Sequence, residues 1–230
     1  MKYIFCILFI LMSFLQACSD MTESMDEYLS KGEIIYIAKV DSAKTYSGNN
    51  RFMLSYWISD PRAKQLYIYW NQKVDSIIVD IPEHNANDSI ILLLGDSNNK
   101  FAEGDYTLQI VSHDNKGNKS INYEIPVNVY GEAFLNSLRN KFIKSADINK
   151  NNNSVSITWG AINSSKELGV IIDYTDLSGS SVNIFKNSQE LKSKTVLNDV
   201  NLDLPLVYKT AYKPEETAID TFYTSPINIY

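Results

Sequence analysis

Apolar and polar residues alternate along much of this chain at the spacing of β-strands. The clearest case is the stretch 50–71, which holds two such strands joined at Asp60-Pro61. A period of two, rich in aromatic residues, is typical of half-buried antiparallel strands. One face of each strand is therefore expected in a hydrophobic core, carrying Phe52, Leu54, Tyr56, Leu66, Ile68 and Trp70.

Five further apolar runs bring the first half of the chain to seven short strands. Seven strands separated by turn residues is the number expected of an immunoglobulin-like or fibronectin type III-like β-sandwich. The predicted strands are 34–40, 52–57, 66–70, 76–81, 89–94, 104–113 and 120–130.

Three local signals refine this first sandwich. The run Glu103-Gly104-Asp105-Tyr106 leads into a strand at a place that resembles the tyrosine corner of fibronectin type III domains, where the phenol bonds to backbone. Residues 114–118, with Asn and Gly for positive φ, predict a hairpin turn. Pro126 cannot donate a backbone hydrogen bond, which makes the last strand an edge strand or a bulged one.

The second half carries a weaker copy of the same pattern. Its predicted strands are 145–149, 154–159, 169–173, 181–185, 193–197, 204–212 and 218–230, with Trp159 in the place of Tyr56. Leu204 falls nearest the second tyrosine corner, which is lost. Between the halves, Phe134, Leu135 and Leu138 have helical spacing and predict a short helix packed between the domains.

The fold class is therefore all-β, with two tandem sandwiches and a short connecting helix. The predicted domains are a signal peptide (1–17), an acidic tether (18–32), a first sandwich (33–131), a linker with a short helix (132–143) and a second sandwich (144–230).

The N-terminal segment predicts export and lipid anchoring. Lys2 precedes an apolar run too short to span a bilayer comfortably, as in a signal peptide. Leu15-Gln16-Ala17-Cys18 resembles the lipobox of bacterial lipoproteins, which implies that Cys18 is lipidated. The alternative is ordinary secretion with Cys18 incidental. The spaced acidic residues after Cys18 resemble the signal that sends Bacteroidota lipoproteins to the outer face of the outer membrane.

Cysteine content and charge exclude several classes of function. The chain has two Cys residues; Cys6 leaves with the signal peptide and Cys18 carries the lipid, so no thiol remains for a disulfide, a zinc site or a nucleophile. The net charge of −6 and the absence of a dense basic patch argue against nucleic acid as a partner. The lipid, and not the protein surface, is expected to hold the chain to the membrane.

Several segments of the first half resemble an uncharacterised family of Bacteroidota lipoproteins that is defined only as a domain of unknown function. The resemblance covers roughly residues 32–139 and is carried, in order, by GEIIYIAKVDSAKTYSGNNRFMLSYW, LYIYWN, VDSI, EGDYTLQIVSHDNKGNKS and VNVYGE. Members usually have Trp where Tyr56 stands. The resemblance implies an accessory role near outer-membrane glycan uptake systems and carries over no catalytic residue.

No motif of an enzyme or a metal site is present. His84 lies in a polar loop and His113 at a strand end, without paired ligand spacing. Alternate oxygen-bearing residues over 147–153 resemble the start of a calcium loop, but Asn152 and Thr158 stand where Gly and Glu belong, which favours an Asn-rich turn. A carboxylate pair for glycoside hydrolysis stays open from sequence. We therefore expect no catalytic residues, no metal and no cofactor.

Two sets of surface residues are candidate sites. Tyr67 and Tyr69 are expected on the outward face of their strand, near Thr107, Gln109 and Asn122, and Trp57 also points away from the core. Exposed rings beside amides suit stacking on sugars, although ordinary cross-strand pairing explains them as well. The candidate ligand-binding residues are Tyr67, Tyr69, Trp57 and Gln109.

Three Asp-Ser-apolar triplets resemble O-glycosylation acceptors of Bacteroidota. They place the candidate modified residues at Ser42, Ser76 and Ser89.

The expected function is that of a non-enzymatic, lipid-anchored protein of the outer membrane, displayed at the cell surface. Its first role would be as an accessory, interaction or spacer component of a glycan-acquisition system, with polysaccharide or transporter components as partners. Direct glycan binding is one alternative. An adhesin or filament component with an exposed edge strand is another.

Overall fold

The computed structural model describes residues 35–161 and 164–230. Within these residues two β-sandwiches follow one another, and a short helix, α1 (Glu132–Ser137), joins them. The predicted signal peptide, the tether and Cys18 lie outside the described residues, as do the first two residues of the predicted first domain.

Seven antiparallel strands form the first sandwich. They are β1 (Ser42–Ser47), β2 (Phe52–Trp57), β3 (Gln65–Trp70), β4 (Asp75–Asp80), β5 (Ile90–Leu94), β6 (Gly104–His113) and β7 (Tyr123–Val129). One sheet has the order β1-β2-β5 and the other the order β4-β3-β6-β7. Three strands packed on four is the arrangement of a fibronectin type III-like sandwich, so the predicted fold class is confirmed.

The core of the first sandwich is filled by the alternate residues that the sequence pattern assigned to it. Phe52, Leu54, Leu66 and Ile68 are fully buried, and Tyr56 is almost so. Burial raises the pKa of Tyr56 to about 12 because the phenolate form loses its hydration. Trp70 is only half-buried at the edge of this core, so the prediction that it is largely buried holds only in part.

Eight strands, two of them very short, form the second sandwich. They are β8 (Ile143–Asn149), β9 (Ser154–Trp159), β10 (Glu167–Thr175), β11 (Ser181–Asn187), β12 (Thr195–Leu197), β13 (Val207–Tyr212), β14 (Phe222–Tyr223) and β15 (Ile227–Asn228). The sheets have the orders β12-β9-β8 and β11-β10-β13-β14, with β15 also paired to β13. Both sandwiches thus share one strand order. Trp159 and Tyr56 occupy the third core position of corresponding strands and are both buried.

Three local predictions for the first sandwich are confirmed. The Tyr106 hydroxyl donates to the Ala102 carbonyl at 2.9 Å, which is the predicted tyrosine corner. The Asp114 carboxylate accepts the backbone amides of Lys116 and Asn118 in the predicted turn. Pro126 lies on β7, an edge strand of its sheet.

The predicted first strand, 34–40, is wrong. Its described residues, 35–40, form only an isolated bridge from Tyr36 to Lys119, and β1 is the first ladder strand of the described part of the chain. Ile37 and Val40 are buried, but the Ala38 amide donates to the Asp60 carboxylate instead of to a strand. The segment is therefore an anchored extended chain, and its apolar residues gave it the appearance of a strand.

The predicted last strand, 218–230, is divided. Only 222–223 and 227–228 join the sheet. Residues 219 and 220 instead bond to the first sandwich, and Pro226 has no amide to donate between the two short strands.

Candidate functional site

Tyr67 and Tyr69 lie on the outward face of the four-stranded sheet, as period two requires. Their ring centroids are 6.4 Å apart with an interplanar angle of 35°. One face of Tyr67 stacks on the His113 ring at 3.9 Å, and Lys73 Nζ lies 5.8 Å from the Tyr69 centroid. Both tyrosines are half-buried, so each offers part of one ring face to a ligand.

Gln109 lies directly across from Tyr69 on β6, as expected. Its amide nitrogen donates to Glu124 Oε1 at 3.1 Å. Its carbonyl oxygen is buried and accepts no hydrogen bond from the residues that the structure describes. Thr107, two residues before Gln109 on β6, is exposed on the same sheet face, and Asn122, just before β7, is also exposed.

Trp57 does not belong to this surface. It lies on the outward face of the other sheet, where Lys44 Nζ is 5.9 Å from its ring. The exposed side chains of Ile91 and Leu93, which pair with Ser55 and Met53, lie on the same sheet face. The two candidate aromatic groups are therefore on opposite faces of one sandwich and cannot contact one small ligand together.

All three candidate glycosylation serines are exposed. Ser42 begins β1, Ser76 lies on the edge strand β4, and Ser89 precedes β5. Their modification stays a prediction.

The two histidines have different surroundings. Both ring nitrogens of His84 lie 2.8 Å from carbonyl oxygens, those of Pro82 and Ile58, and these contacts raise its pKa. Burial lowers the pKa of His113, whose ring stacks on Tyr67. His84 thus lies in a loop, as the sequence indicated, but it is half-buried and its ring contacts backbone carbonyl groups.

Among the described residues, no group of histidine and carboxylate side chains is placed to hold a metal ion. The Asn-rich stretch 149–153 is the turn of the β8–β9 hairpin, and Asn149 Oδ1 accepts the Asn151 amide. Its side chain therefore serves the turn, in keeping with the favoured interpretation.

The junction between the sandwiches is a built interface that the sequence pattern did not predict. The Arg51 guanidinium donates to both carboxylate oxygens of Asp220, through Nε at 2.9 Å and Nη2 at 2.5 Å. Asp220 Oδ2 also accepts the Asn49 amide at 2.8 Å. A two-point charge-assisted contact fixes orientation as well as distance. The Arg51 guanidinium lowers the pKa of Asp220, which keeps that carboxylate ionised.

A second carboxylate strengthens the junction. Glu215 Oε1 accepts the Tyr130 hydroxyl at 2.9 Å and the Ser47 hydroxyl at 3.2 Å, both from the first sandwich. The Ile219 amide donates to the Ser47 carbonyl at 2.8 Å. At Gly48 a Cβ would lie 2.6 Å from the Asp220 carboxylate, so the close approach requires glycine. The β13–β14 loop of the second sandwich thus packs closely against the β1–β2 turn of the first and forms hydrogen bonds with it.

Helix α1 fills the remaining side of the junction. The Glu103 carboxylate accepts the amides of Ala133 and Phe134 at 2.6 and 2.8 Å, which caps the helix. The Phe134 ring lies 5.0 Å from Tyr130 of the first sandwich and 5.0 Å from Phe222 of the second. The predicted packing between the domains is confirmed for Phe134, whereas Leu135 is exposed and Leu138 is half-buried.

No sequence signal pointed to these junction contacts. Arg51 and Asp220 are 169 positions apart, and each alone resembles an ordinary surface charge. Only the interruption of the last apolar run by Asp220 hinted that this part was not a plain strand.

A buried ion pair lies in the second sandwich, outside the junction. Lys141 Nζ is 2.7 Å from Glu167 Oε1, and the two side chains are 1% and 0% exposed. Lys141 Nζ also donates to the Ala161 carbonyl at 3.1 Å. Because both charges are shielded from water, this pair fixes the start of β8 against β10.

The sequence matches one protein family over most of its length. A family model described as a domain of unknown function, DUF4998, matches residues 18–222, and the chain belongs to that family. No curated protein matches the sequence. Among the described residues, no helix has the length and apolar character needed to cross a membrane.

Two solved structures are similar to the chain. The FN1–FN3 domains of chicken CNTN1 are 11% identical, with a TM-score of 0.41 over 85% of this chain and 66% of that one. A segment of two fibronectin type III domains from chicken tenascin is 13% identical, with a TM-score of 0.33 over 83% of this chain and 97% of that one. The chain thus spans just under two thirds of the CNTN1 segment. The fold assignment rests on the strand order.

Proposed function

We propose that this chain is a non-enzymatic lipoprotein, anchored through Cys18 at the surface of the outer membrane, that serves as a spacer and interaction component of a glycan-acquisition assembly. The junction of Arg51, Asp220 and Glu215 is the observation that supports it most. Domains joined by an ordinary linker move relative to each other. A two-point ion pair, a capped helix and two further carboxylate contacts instead hold one orientation, which a spacer needs.

The partners in this proposal are outer-membrane transporter components and polysaccharide. The net charge of −6 leaves the lipid, and not an electrostatic patch, to hold the chain at the membrane. A rigid pair of sandwiches then presents its distal surfaces at a fixed distance from the anchor.

A growth experiment tests the proposal. A strain that lacks this protein is expected to grow more slowly on at least one polysaccharide as sole carbon source. The wild-type chain should restore growth, whereas Cys18→Ala and Asp220→Ala should not. Lys194→Ala, which removes an exposed ion pair with Asp147, is the matched control and should restore growth. Unchanged growth of the deletion strain on every polysaccharide would refute the glycan role, and full rescue by Cys18→Ala would refute the anchor.

Direct glycan binding by Tyr67 and Tyr69 is the second candidate. The adjacent, half-buried rings of Tyr67 and Tyr69 favour it, since each leaves part of a ring face open to stacking on a sugar. Calorimetry of residues 19–230 against a polysaccharide panel, beside a Tyr67→Ala/Tyr69→Ala double variant, provides the test. Binding that the double variant retains would move the site elsewhere.

A further inference from the structure

A cleft opens the lateral edge of the first sandwich between β4 and β5. The four-stranded sheet is wider than the three-stranded sheet, so its edge strand β4 is not fully covered. Ile77 pairs with the fully buried Ile68 and therefore faces the same side, yet it is 36% exposed. The resulting cleft has a volume of about 620 Å³, within the range of small-molecule sites.

Three half-buried aromatic rings line one wall of this cleft. The Phe101 ring lies 5.1 Å from Trp70 and 5.8 Å from Tyr106, measured between centroids. Leu94 and Ile77 also line the cleft and add aliphatic surface. The half-burial of Trp70, at odds with its expected place in the core, follows from its position on this wall.

The rim of the cleft is polar. It includes Asn71, Asp75, Asn99 and Lys100. The Asn71 side-chain amide donates to Asp75 Oδ2 at 2.6 Å, which fixes both groups. Residues 71, 72 and 73 have φ values of 48°, 56° and 68°, a run of left-handed backbone that L-residues disfavour. Such strain is characteristic of functional sites, and here it carries Asn71 to the rim.

We propose that this cleft binds a short neutral saccharide. Aromatic rings suit the apolar C–H face of a sugar ring, and the amides and carboxylate of the rim suit its hydroxyl groups. The rim carries one lysine and one aspartate, so it has no net charge that would attract a phosphate or a polyanion. A purely apolar ligand would desolvate the rim groups without pairing them. The site is separate from the Tyr67 surface, which lies on the opposite face of the same sheet.

This inference does not depend on the spacer role, because neither Cys18 nor the ion pair of Arg51 and Asp220 contributes to the cleft. Its failure would leave the proposed function standing, and the reverse also holds.

The three tryptophans allow a localised test. Trp70 lies in the cleft, Trp57 on the far sheet face and Trp159 in the second sandwich. We would titrate ¹⁵N-labelled residues 19–230 with trisaccharides of glucose, galactose, mannose and xylose, and follow the indole N–H signals by NMR. At least one sugar should shift the Trp70 signal saturably in the millimolar range and leave Trp159 unchanged.

Two rim variants test the polar contacts. Asn99→Ala removes an exposed side chain, and Asn71→Gly removes a side chain while suiting the positive φ, so both should fold. Each should weaken binding about fivefold, the effect of one lost hydrogen bond. Tyr67→Ala/Tyr69→Ala is the matched control and should bind as wild type does.

Four outcomes would overturn the proposal. They are the absence of any saturable Trp70 shift, wild-type affinity in both rim variants, loss of binding in the tyrosine control, and a saturable Trp70 shift with inorganic phosphate or hexanol but with no sugar.

Discussion

Asp220 of the second sandwich bonds to the Arg51 guanidinium and, through Oδ2, to the backbone amide of Asn49 in the first sandwich. Its side chain is 16% exposed, so it is largely shielded at the junction, while that of Arg51 is 40% exposed. One carboxylate thus ties a side chain and a backbone segment of the first sandwich to the second. Loss of this carboxylate would therefore remove the contacts that the Arg51 side chain and the Asn49 amide make with the second sandwich.

Asp220→Ala is expected to loosen the junction. It leaves the Asn49 amide without its acceptor, and a lost charge-assisted contact of this kind costs about 1–3 kcal/mol. Spin labels at Thr107→Cys and Val196→Cys report the distance between the sandwiches, since residues 19–230 contain no cysteine. The wild type should give one narrow distance distribution, and the variant a broader one.

The exposed pair Lys194 and Asp147 provides the control for this measurement. Their atoms are 3.4 Å apart and both side chains are more than half exposed, so Lys194→Ala should leave the distribution narrow. A broad distribution in the wild type would contradict a rigid junction.

The sequence was sufficient for the fold because its evidence is local. Alternation over 52–57 and 66–70 placed Phe52 and Leu66 in the core, and the hydrogen bond of Tyr106 follows from four neighbouring residues. The prediction of the first strand, 34–40, was wrong for a physical reason. β1 is polar and lies at an edge, whereas the more apolar segment before it is held by the Asp60 carboxylate.

Less of the candidate site than of the fold could be predicted from the sequence. The outward placement of Tyr67 and Tyr69 follows from period two, but the stacking of His113 on Tyr67 depends on the pairing register of β3 and β6. The separation of Trp57 from these tyrosines required knowing which strands share a sheet. Junction contacts between Arg51 and Asp220 depend on how two domains meet, which no periodicity encodes.

The tryptophans should rank by burial in their effect on stability. Trp159 is 6% exposed and its indole donates to Thr195 at 2.9 Å, so Trp159→Ala should cost about 3–5 kcal/mol. Trp70→Ala should cost less, since one side of the ring faces the cleft. Trp57→Ala, on an outward sheet face, should cost least. Urea denaturation of the three variants measures this order, and a larger loss for Trp57→Ala than for Trp159→Ala would reverse the assigned sheet faces.

The buried pair of Lys141 and Glu167 should respond differently to one change and to two. Lys141→Met removes the cation that the buried Glu167 carboxylate faces, which should cost about 3–5 kcal/mol. The double variant Lys141→Met/Glu167→Leu removes both charges and should recover much of that loss. The urea midpoints of the single and double variants measure how much stability the second substitution recovers. A double variant no more stable than Lys141→Met would mean that the pair itself stabilises the fold.

His84 should make stability depend on pH. A neutral imidazole has one N–H and can donate to only one of the Pro82 and Ile58 carbonyls, whereas the protonated ring donates to both. These carbonyls raise its pKa, with a smaller contribution from Asp88 and opposition from Lys64. A group whose pKa is raised on folding stabilises the protein below its unfolded pKa, about 6.5 for histidine, and loses that effect as pH rises through the folded pKa.

The measurement compares the free energy of unfolding of wild type and His84→Gln across this pH range. The advantage of the wild type should be largest at the acidic end and should shrink as pH rises. His113 supplies the matched control with the opposite sign, because burial and Lys119 lower its pKa and the folded state prefers its neutral form. Protonation of His113 at acidic pH therefore destabilises the folded state, and His113→Gln should raise the free energy of unfolding there relative to the wild type. If both variants changed stability equally at every pH, neither carbonyl contact of His84 would be linked to its protonation.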